Sequence, residues 1–137
     1  MFTRRAKIRL YHTDATEVIF FGHLFQLAMD TLEDFLAYRD FPWQALMASP
    51  YFFPVVHTEA DYLHPLRAGD EVEITLKVVK LGTSSVTFHY TMQHVEKQCL
   101  AGRVESVHVL VDKKTRTSLP LPDFLRTIFT AEKVEES

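Results

Sequence analysis

Cys99 is the only cysteine in this chain, so no disulfide closes within it and the composition suits a reducing compartment. No apolar run approaches the roughly 20 residues that a membrane-spanning helix needs. The basic start, residues 1–7, leads into Ile8-Arg9-Leu10-Tyr11-His12 rather than into the continuous apolar core of an export signal. Positive charge is not in excess. Fifteen Lys and Arg against 18 Asp and Glu give a formal net charge of −3, which excludes the basic footprint of a nucleic-acid binder. There is no internal repeat, low-complexity linker or domain boundary. What remains is a chain of 137 residues, 47% hydrophobic, long enough for one domain with a real core. A single cytoplasmic domain over residues 1–137 is expected, its core spanning about 4–129 and its acidic tail, 130–137, frayed.

Periodicity supplies the elements. Residues 4–12 set Ala6, Ile8 and Leu10 against Lys7, Arg9 and Tyr11, the alternation of a half-buried strand. From about Gly22 to Tyr38 the apolar positions Leu24, Phe25, Leu27, Ala28, Met29, Leu32, Phe35 and Leu36 predict a helix, apolar enough on its early turns to be buried on nearly every side. One more helical turn over residues 42–47 is ended by Ser49-Pro50. Strands follow over residues 55–63, 71–78, 85–95 and 99–111, joined by turns at Gly69-Asp70, 81–84 and 96–98. A short helix over 124–129 follows, with Asp123 as its N-cap. Such tight connections favour an antiparallel sheet. Five strands bury one helix only by curling around it, and the uncovered face or edge then calls for a second copy.

The richest stretch is Asp14-Ala15-Thr16-Glu17-Val18-Ile19-Phe20-Phe21-Gly22-His23, which sets the Asp14 carboxylate just ahead of a helix start. The first turn of a helix presents unpaired N–H groups and about half a positive charge. The amides of Phe21 and Gly22 are natural donors to an oxyanion, and Asp14 can act as nucleophile or base. Asp14 could equally be an ordinary turn or cap residue.

Tyr11-His12-Thr13-Asp14-Ala15-Thr16-Glu17-Val18-Ile19-Phe20-Phe21, with Glu59-Ala60-Asp61-Tyr62-Leu63-His64-Pro65-Leu66-Arg67-Ala68-Gly69-Asp70, Leu81-Gly82-Thr83-Ser84-Ser85-Val86 and His108-Val109-Leu110-Val111-Asp112, resemble the hot-dog fold acyl-CoA thioesterases of the 4-hydroxybenzoyl-CoA thioesterase type. The resemblance covers about residues 7–125. Phe53-Pro54-Val55-Val56-His57 and Asp61-Tyr62-Leu63-His64-Pro65 look most like the 1,4-dihydroxy-2-naphthoyl-CoA thioesterases of quinone biosynthesis. It implies an α+β hot-dog fold, a curved five-stranded antiparallel sheet around one long central helix. It also implies an acyl-CoA substrate, no cofactor, no metal, and a homodimer or homotetramer with interfacial active sites. Asp14 would attack the thioester or activate water. Two departures stand out. Glu17 occupies a position where the family has glycine, and no basic residue for CoA phosphates lies at Gly82-Thr83-Ser84.

Around that centre the candidate substrate contacts are Glu17, His23, Asp30 and His57, and the candidate CoA contacts are Arg67, Lys80 and Arg103. A Glu17 carboxylate near Asp14 would raise the pKa of one of the pair. His57, Glu59 and Asp61 alternate along one strand face and could begin a metal site, but no fourth ligand lies at a fixed spacing, and a polar stripe is the simpler reading. The aromatic residues Phe20, Phe21, Phe25, Phe35, Phe41, Trp43, Tyr51, Phe52 and Phe53 would pack the core and line a flat acyl pocket. The other readings are a fatty acyl-CoA or acyl carrier protein thioesterase, a hot-dog dehydratase working through a histidine, and a non-catalytic acyl-CoA-binding module.

Overall fold

Val72, Ile74, Leu76 and Val78 alternate along one strand and Val86, Phe88, Tyr90 and Met92 along the next, and all eight are buried in the computed structural model, which describes residues 1–134. Alternate residues of a strand face opposite sides of its sheet, so these two rows make one continuous apolar face. The strands are β1 (Phe2–Lys7), β2 (Tyr51–Phe52), β3 (Val55–Tyr62), β4 (Glu71–Leu81), β5 (Ser85–His94), β6 (Cys99–Val109) and β7 (Val111–Asp112). Five of them form one sheet in the order β1-β4-β5-β6-β3, with every pairing antiparallel. This is the expected α+β architecture.

Helix α1 (Phe21–Tyr38) lies on that face. Leu24, Leu27, Ala28, Thr31, Leu32, Phe35 and Leu36 are its buried residues, spaced for a single stripe. The helix is therefore not buried all round. Phe25 and Met29 are half-covered, and Phe21 and Tyr38 are exposed. Gly102 of β6 lets α1 come close. A Cβ there would stand 3.0 Å from Leu24 Cδ2 and 3.2 Å from the Asp61 carbonyl oxygen. Short helices α2 (Trp43–Ala48) and α3 (Asp123–Ala131) close one end, where Phe129 packs on Phe35, Phe53 and Phe88. No helix among the described residues is long and apolar enough to cross a membrane.

Several local expectations are corrected. The first strand stops at Lys7, because the Ile8 amide and carbonyl are taken by Asp70 and Gly69, each at 2.8 Å. A 3-10 turn (Leu10–His12) follows, in which the Arg9 amide donates to His12 Nδ1 at 2.8 Å and draws that imidazole inward. Leu10, expected inside, is 79% exposed while His12 is buried. The last long strand breaks at Leu110, whose amide turns to the Ser84 carbonyl, and β7 pairs instead with β2. Asp123 opens α3 without capping it; Pro122 is the N-cap. The core begins at Phe2 rather than Arg4. At the other end residues 130–134 are docked, since the Val134 amide donates to Val78 O at 2.9 Å and buried Glu132 pairs with Arg39. Residues 135–137 of the expected frayed tail lie outside the described residues.

Candidate active site

Asp14 sits at the tip of a small hairpin that delivers the chain to the start of α1. Thr13 and Ile19 pair antiparallel, the Asp14 amide donates to Val18 O at 3.2 Å, and the Glu17 amide donates to Asp14 O at 3.0 Å. The Thr16 amide, at 2.8 Å, and the Thr16 hydroxyl both donate to Asp14 Oδ1. This Asx-type turn leaves Oδ2 as the oxygen for a ligand. The Thr16 hydroxyl first, and its amide second, hold the exposed Asp14 carboxyl below the usual carboxylate range, so it is ionised at neutral pH. Glu17 therefore does not push Asp14 upward. It has a different peculiarity, a φ of 66°, the left-handed backbone that glycine tolerates best.

From the hairpin the chain passes straight into α1. The Ile19 amide donates to Leu66 O and the Phe20 amide to His12 O, both at 2.8 Å, which fixes the entry. Phe20 is the N-cap and offers no side-chain cap, so the first amides of α1 face outward unpaired by the helix itself. Tyr62, at the end of β3, donates its hydroxyl to Phe21 O. Leu10, Tyr11, Phe20, Phe21, Tyr62 and Leu63 are all exposed in these segments. An ionised carboxylate and an open helix start thus share one apolar end of the molecule.

Residues 8–129 match the thioesterase-like superfamily. The chain belongs to that family. A 1,4-dihydroxy-2-naphthoyl-CoA hydrolase of Rippkaea orientalis is 30% identical over 120 residues, covering 86% of this chain and 87% of its own. One from Prochlorococcus marinus (strain NATL2A) is 32% identical over 122 residues, covering 83% and 77%. Among solved structures, a 1,4-dihydroxy-2-naphthoyl-CoA thioesterase from Synechocystis superposes with a TM-score of 0.89 at 23% identity, covering 94% of this chain and 95% of that one. The fold is the hot-dog fold, and this family member is a thioester hydrolase of the acyl-CoA thioesterase kind.

The thioesterase-like chain gathers only some of the candidate residues. Beside Asp14, Phe21 and Gly22 stands His23, in the first turn of α1. Its ring meets that of His12 edge-on at 5.3 Å, and its Nδ1 is buried without a partner. Burial above all, then the nearby His23, keeps the His12 imidazole below its ordinary pKa, and Asp30 opposes this. Asp30 lines a groove of about 330 Å³ with Met29, Glu33, Trp43, Phe53 and His108. Arg67 is at the Asp14 end of the sheet, in a turn where its amide donates to Asp70 Oδ2 at 2.8 Å. Lys80 is at the far end of β4, about 30 Å away at 3.3 Å per residue. His57 and Arg103 project from the opposite sheet face, since their neighbours Glu59 and Asp61 pair with Glu105 and Arg103 while Val104 and Ser106 face α1. The three cations do not converge within one chain.

Some residues were not picked out beforehand. Tyr62 and His12 are two; both lie inside the motifs that carry the resemblance, which by themselves give neither a role. Arg126 is another: from α3 its guanidinium donates to Gly82 O at 2.9 Å and Thr83 O at 3.2 Å, bringing a cation to the turn that lacks its own. A buried polar line crosses the inner face as well. Tyr90 Oη and Ser106 Oγ are 3.0 Å apart, Ser106 Oγ and His108 Nε2 are 3.0 Å apart, and His108 Nδ1 meets Phe53 O at 3.2 Å. Ser106 and His108 occupy the inward positions between Val104 and Leu110, so the line was hidden inside an ordinary strand pattern.

Proposed function

We propose that this thioesterase hydrolyses an aromatic hydroxyacyl-CoA, 1,4-dihydroxy-2-naphthoyl-CoA in the first instance, to the free acid and CoA in quinone biosynthesis. The observation that carries the reading is the pairing of an ionised Asp14 with the uncapped start of α1 at an apolar end of the fold. Asp14 Oδ2 attacks the thioester carbon or takes a proton from the water that does. The amides of Phe21 and Gly22 receive the charge that develops on the carbonyl oxygen. The thiolate of CoA leaves; where Asp14 itself attacks, water then cleaves the Asp14–acyl anhydride to the free acid, and in either route a proton from water ends on the thiolate. His23, in the first turn of α1, is the candidate to hydrogen-bond the acyl group or the attacking water. Relatives named for the naphthoyl substrate support the aromatic acyl preference.

The acyl cavity is closed by a second copy. β3 is a long edge strand exposed on both faces, with Val55 and Val56 uncovered, whereas the other edge, β1, carries Arg4, Arg5 and Lys7. Lys and Arg on an edge discourage pairing, whereas the apolar start of β3, Val55 and Val56, invites it. A homodimer through β3, or a tetramer built from such dimers, therefore brings further walls to the Asp14 end. Arg67 is the CoA phosphate contact within the same chain, and Lys80 serves only across an interface. A cytoplasmic setting fits the single Cys99.

Thiol release from naphthoyl-, benzoyl- and long-chain acyl-CoAs tests the proposal on the wild type and on Asp14→Asn. Asparagine keeps an acceptor for Thr16, so the variant removes charge rather than the turn. The naphthoyl substrate should give the highest kcat/KM, and the variant should lose on the order of 10²–10⁴ in kcat. A long-chain preference would select the fatty acyl reading. The Thr16 bonds to Asp14 favour one other interpretation, a binding module in which Asp14 only shapes the turn. That module would release no thiol at all.

A further inference from the structure

On the sheet face turned away from α1, the strand register brings together groups that are distant in sequence. Glu59 of β3 is directly opposite Glu105 of β6, and Glu105 is directly opposite His89 of β5. His57 lies on the same face of β3, two positions before Glu59. Its Nε2 is 3.5 Å from Glu59 Oε1 and 4.0 Å from Glu105 Oε2, and the ligand atoms of the three residues fall within 4.8 Å of one another. Two carboxylates directly opposite each other across a strand pair repel. Glu105 is only partly solvated, with 27% of its side chain exposed. Positive charge in register lies elsewhere: Arg103 is opposite Asp61, and Lys77 is beyond His89. Imidazoles surround the acidic pair instead.

We propose that His57, Glu59 and Glu105 bind a divalent cation of the Zn²⁺ type on the outer face of the sheet, with His89 bracing Glu105. An imidazole nitrogen and two carboxylate oxygens are zinc donors, and a water completes an open tetrahedral set. Tetrahedral bonds of about 2.1 Å put donor atoms about 3.4 Å apart, so the present spacing, at most 4.8 Å, closes on an ion with side-chain movement of about 1 Å. Glu105 divides its oxygens suitably. Oε1 is 2.8 Å from His89 Nε2, while Oε2 is the oxygen nearer His57. A carboxylate braced in this way is oriented for a metal. A cleft of about 250 Å³ lined by Glu59, Asp61, His89, Thr91, Arg103 and Glu105 gives the ion an open approach. The ion would pin the exposed edge strand β3 to β6. This site is separate from the thioesterase chemistry and stands or falls without it.

Calorimetric titration of the chelator-treated full-length protein with Zn²⁺ tests the site. One equivalent per chain should bind and raise the melting temperature. Glu59→Gln and Glu105→Gln should each weaken binding at least about 10-fold, His89→Gln about 10- to 100-fold, and His64→Gln not at all. No binding at millimolar Zn²⁺ would overturn the proposal, as would unchanged affinity in the Glu59→Gln/Glu105→Gln double variant. Crystals of the full chain soaked in Zn²⁺ give an independent readout. An anomalous peak among these three side chains supports the site, and a peak only at other histidines or at Cys99 rejects it.

Discussion

Replacing Ser106 with alanine removes one oxygen and strands two buried partners. Only one direction gives every bond of the inner polar line a donor: His108 Nδ1–H donates to Phe53 O, the Ser106 hydroxyl to His108 Nε2, and the Tyr90 hydroxyl to Ser106 Oγ. Tyr90, Ser106 and His108 are all nearly inaccessible. Ser106→Ala leaves the Tyr90 hydroxyl and His108 Nε2 unsatisfied, each at a cost of about 1–3 kcal/mol, and so destabilises by about 2–6 kcal/mol. Tyr90→Phe removes only the terminal donor and should cost about 1 kcal/mol. In the double variant His108 alone is stranded, so its loss should not exceed that of Ser106→Ala, giving a coupling energy of at least about 1 kcal/mol. Urea unfolding followed by Trp43 fluorescence, at one fixed protomer concentration, measures all three. A Ser106→Ala loss below 1 kcal/mol, or strictly additive losses, would refute the line as a stabilising unit. Its pH signature is also set. Burial holds the His108 imidazole below the ordinary value of about 6.5, so the unfolded chain takes the proton first. The stabilisation is complete above that value and declines as pH falls through it, by at most about 1.4 kcal/mol per pH unit.

Three further predictions follow from the hairpin and the edge strand. Thr16→Val removes the hydroxyl that does most to hold Asp14 ionised, so the acidic limb of the kcat/KM profile should move to higher pH; an unmoved limb would mean that Asp14 does not set it. Glu17→Gly should raise stability by about 1 kcal/mol, read as a higher melting temperature, because it relieves a left-handed backbone. Val56→Lys, at the bulge of β3, should shift sedimentation toward the monomer and lower thiol release in step; full activity in a monomer would rule out a shared site.

Elements that follow one periodicity were legible in the chain, and those decided by distant partners were not. β4 alternates apolar and polar residues as far as Val78 and β5 from Ser85 to Gln93, and the stripe on α1 survives translation into packing. The run Ala6, Ile8, Leu10 looked equally regular. Yet Gly69 and Asp70, far along the chain, seize Ile8 and turn the next residues aside, so the periodicity ends where a partner ends it. Asp14 and the helix start were legible because they are neighbours in sequence. The His57, Glu59 and Glu105 group was legible only in its β3 half, since Glu105 arrives through a register that local patterning does not encode. Arg67, Lys80 and Arg103 were chosen by charge alone, and charge carries no address.

Gly102 never touches the reacting atoms, yet the clearance between α1 and β6 depends on it. One added methyl would require the Leu24 side chain and the Asp61 carbonyl each to give by a few tenths of an ångström, straining the seam between α1 and the edge of the sheet. How tightly the central helix seats on the sheet is thus decided at a position outside the candidate site.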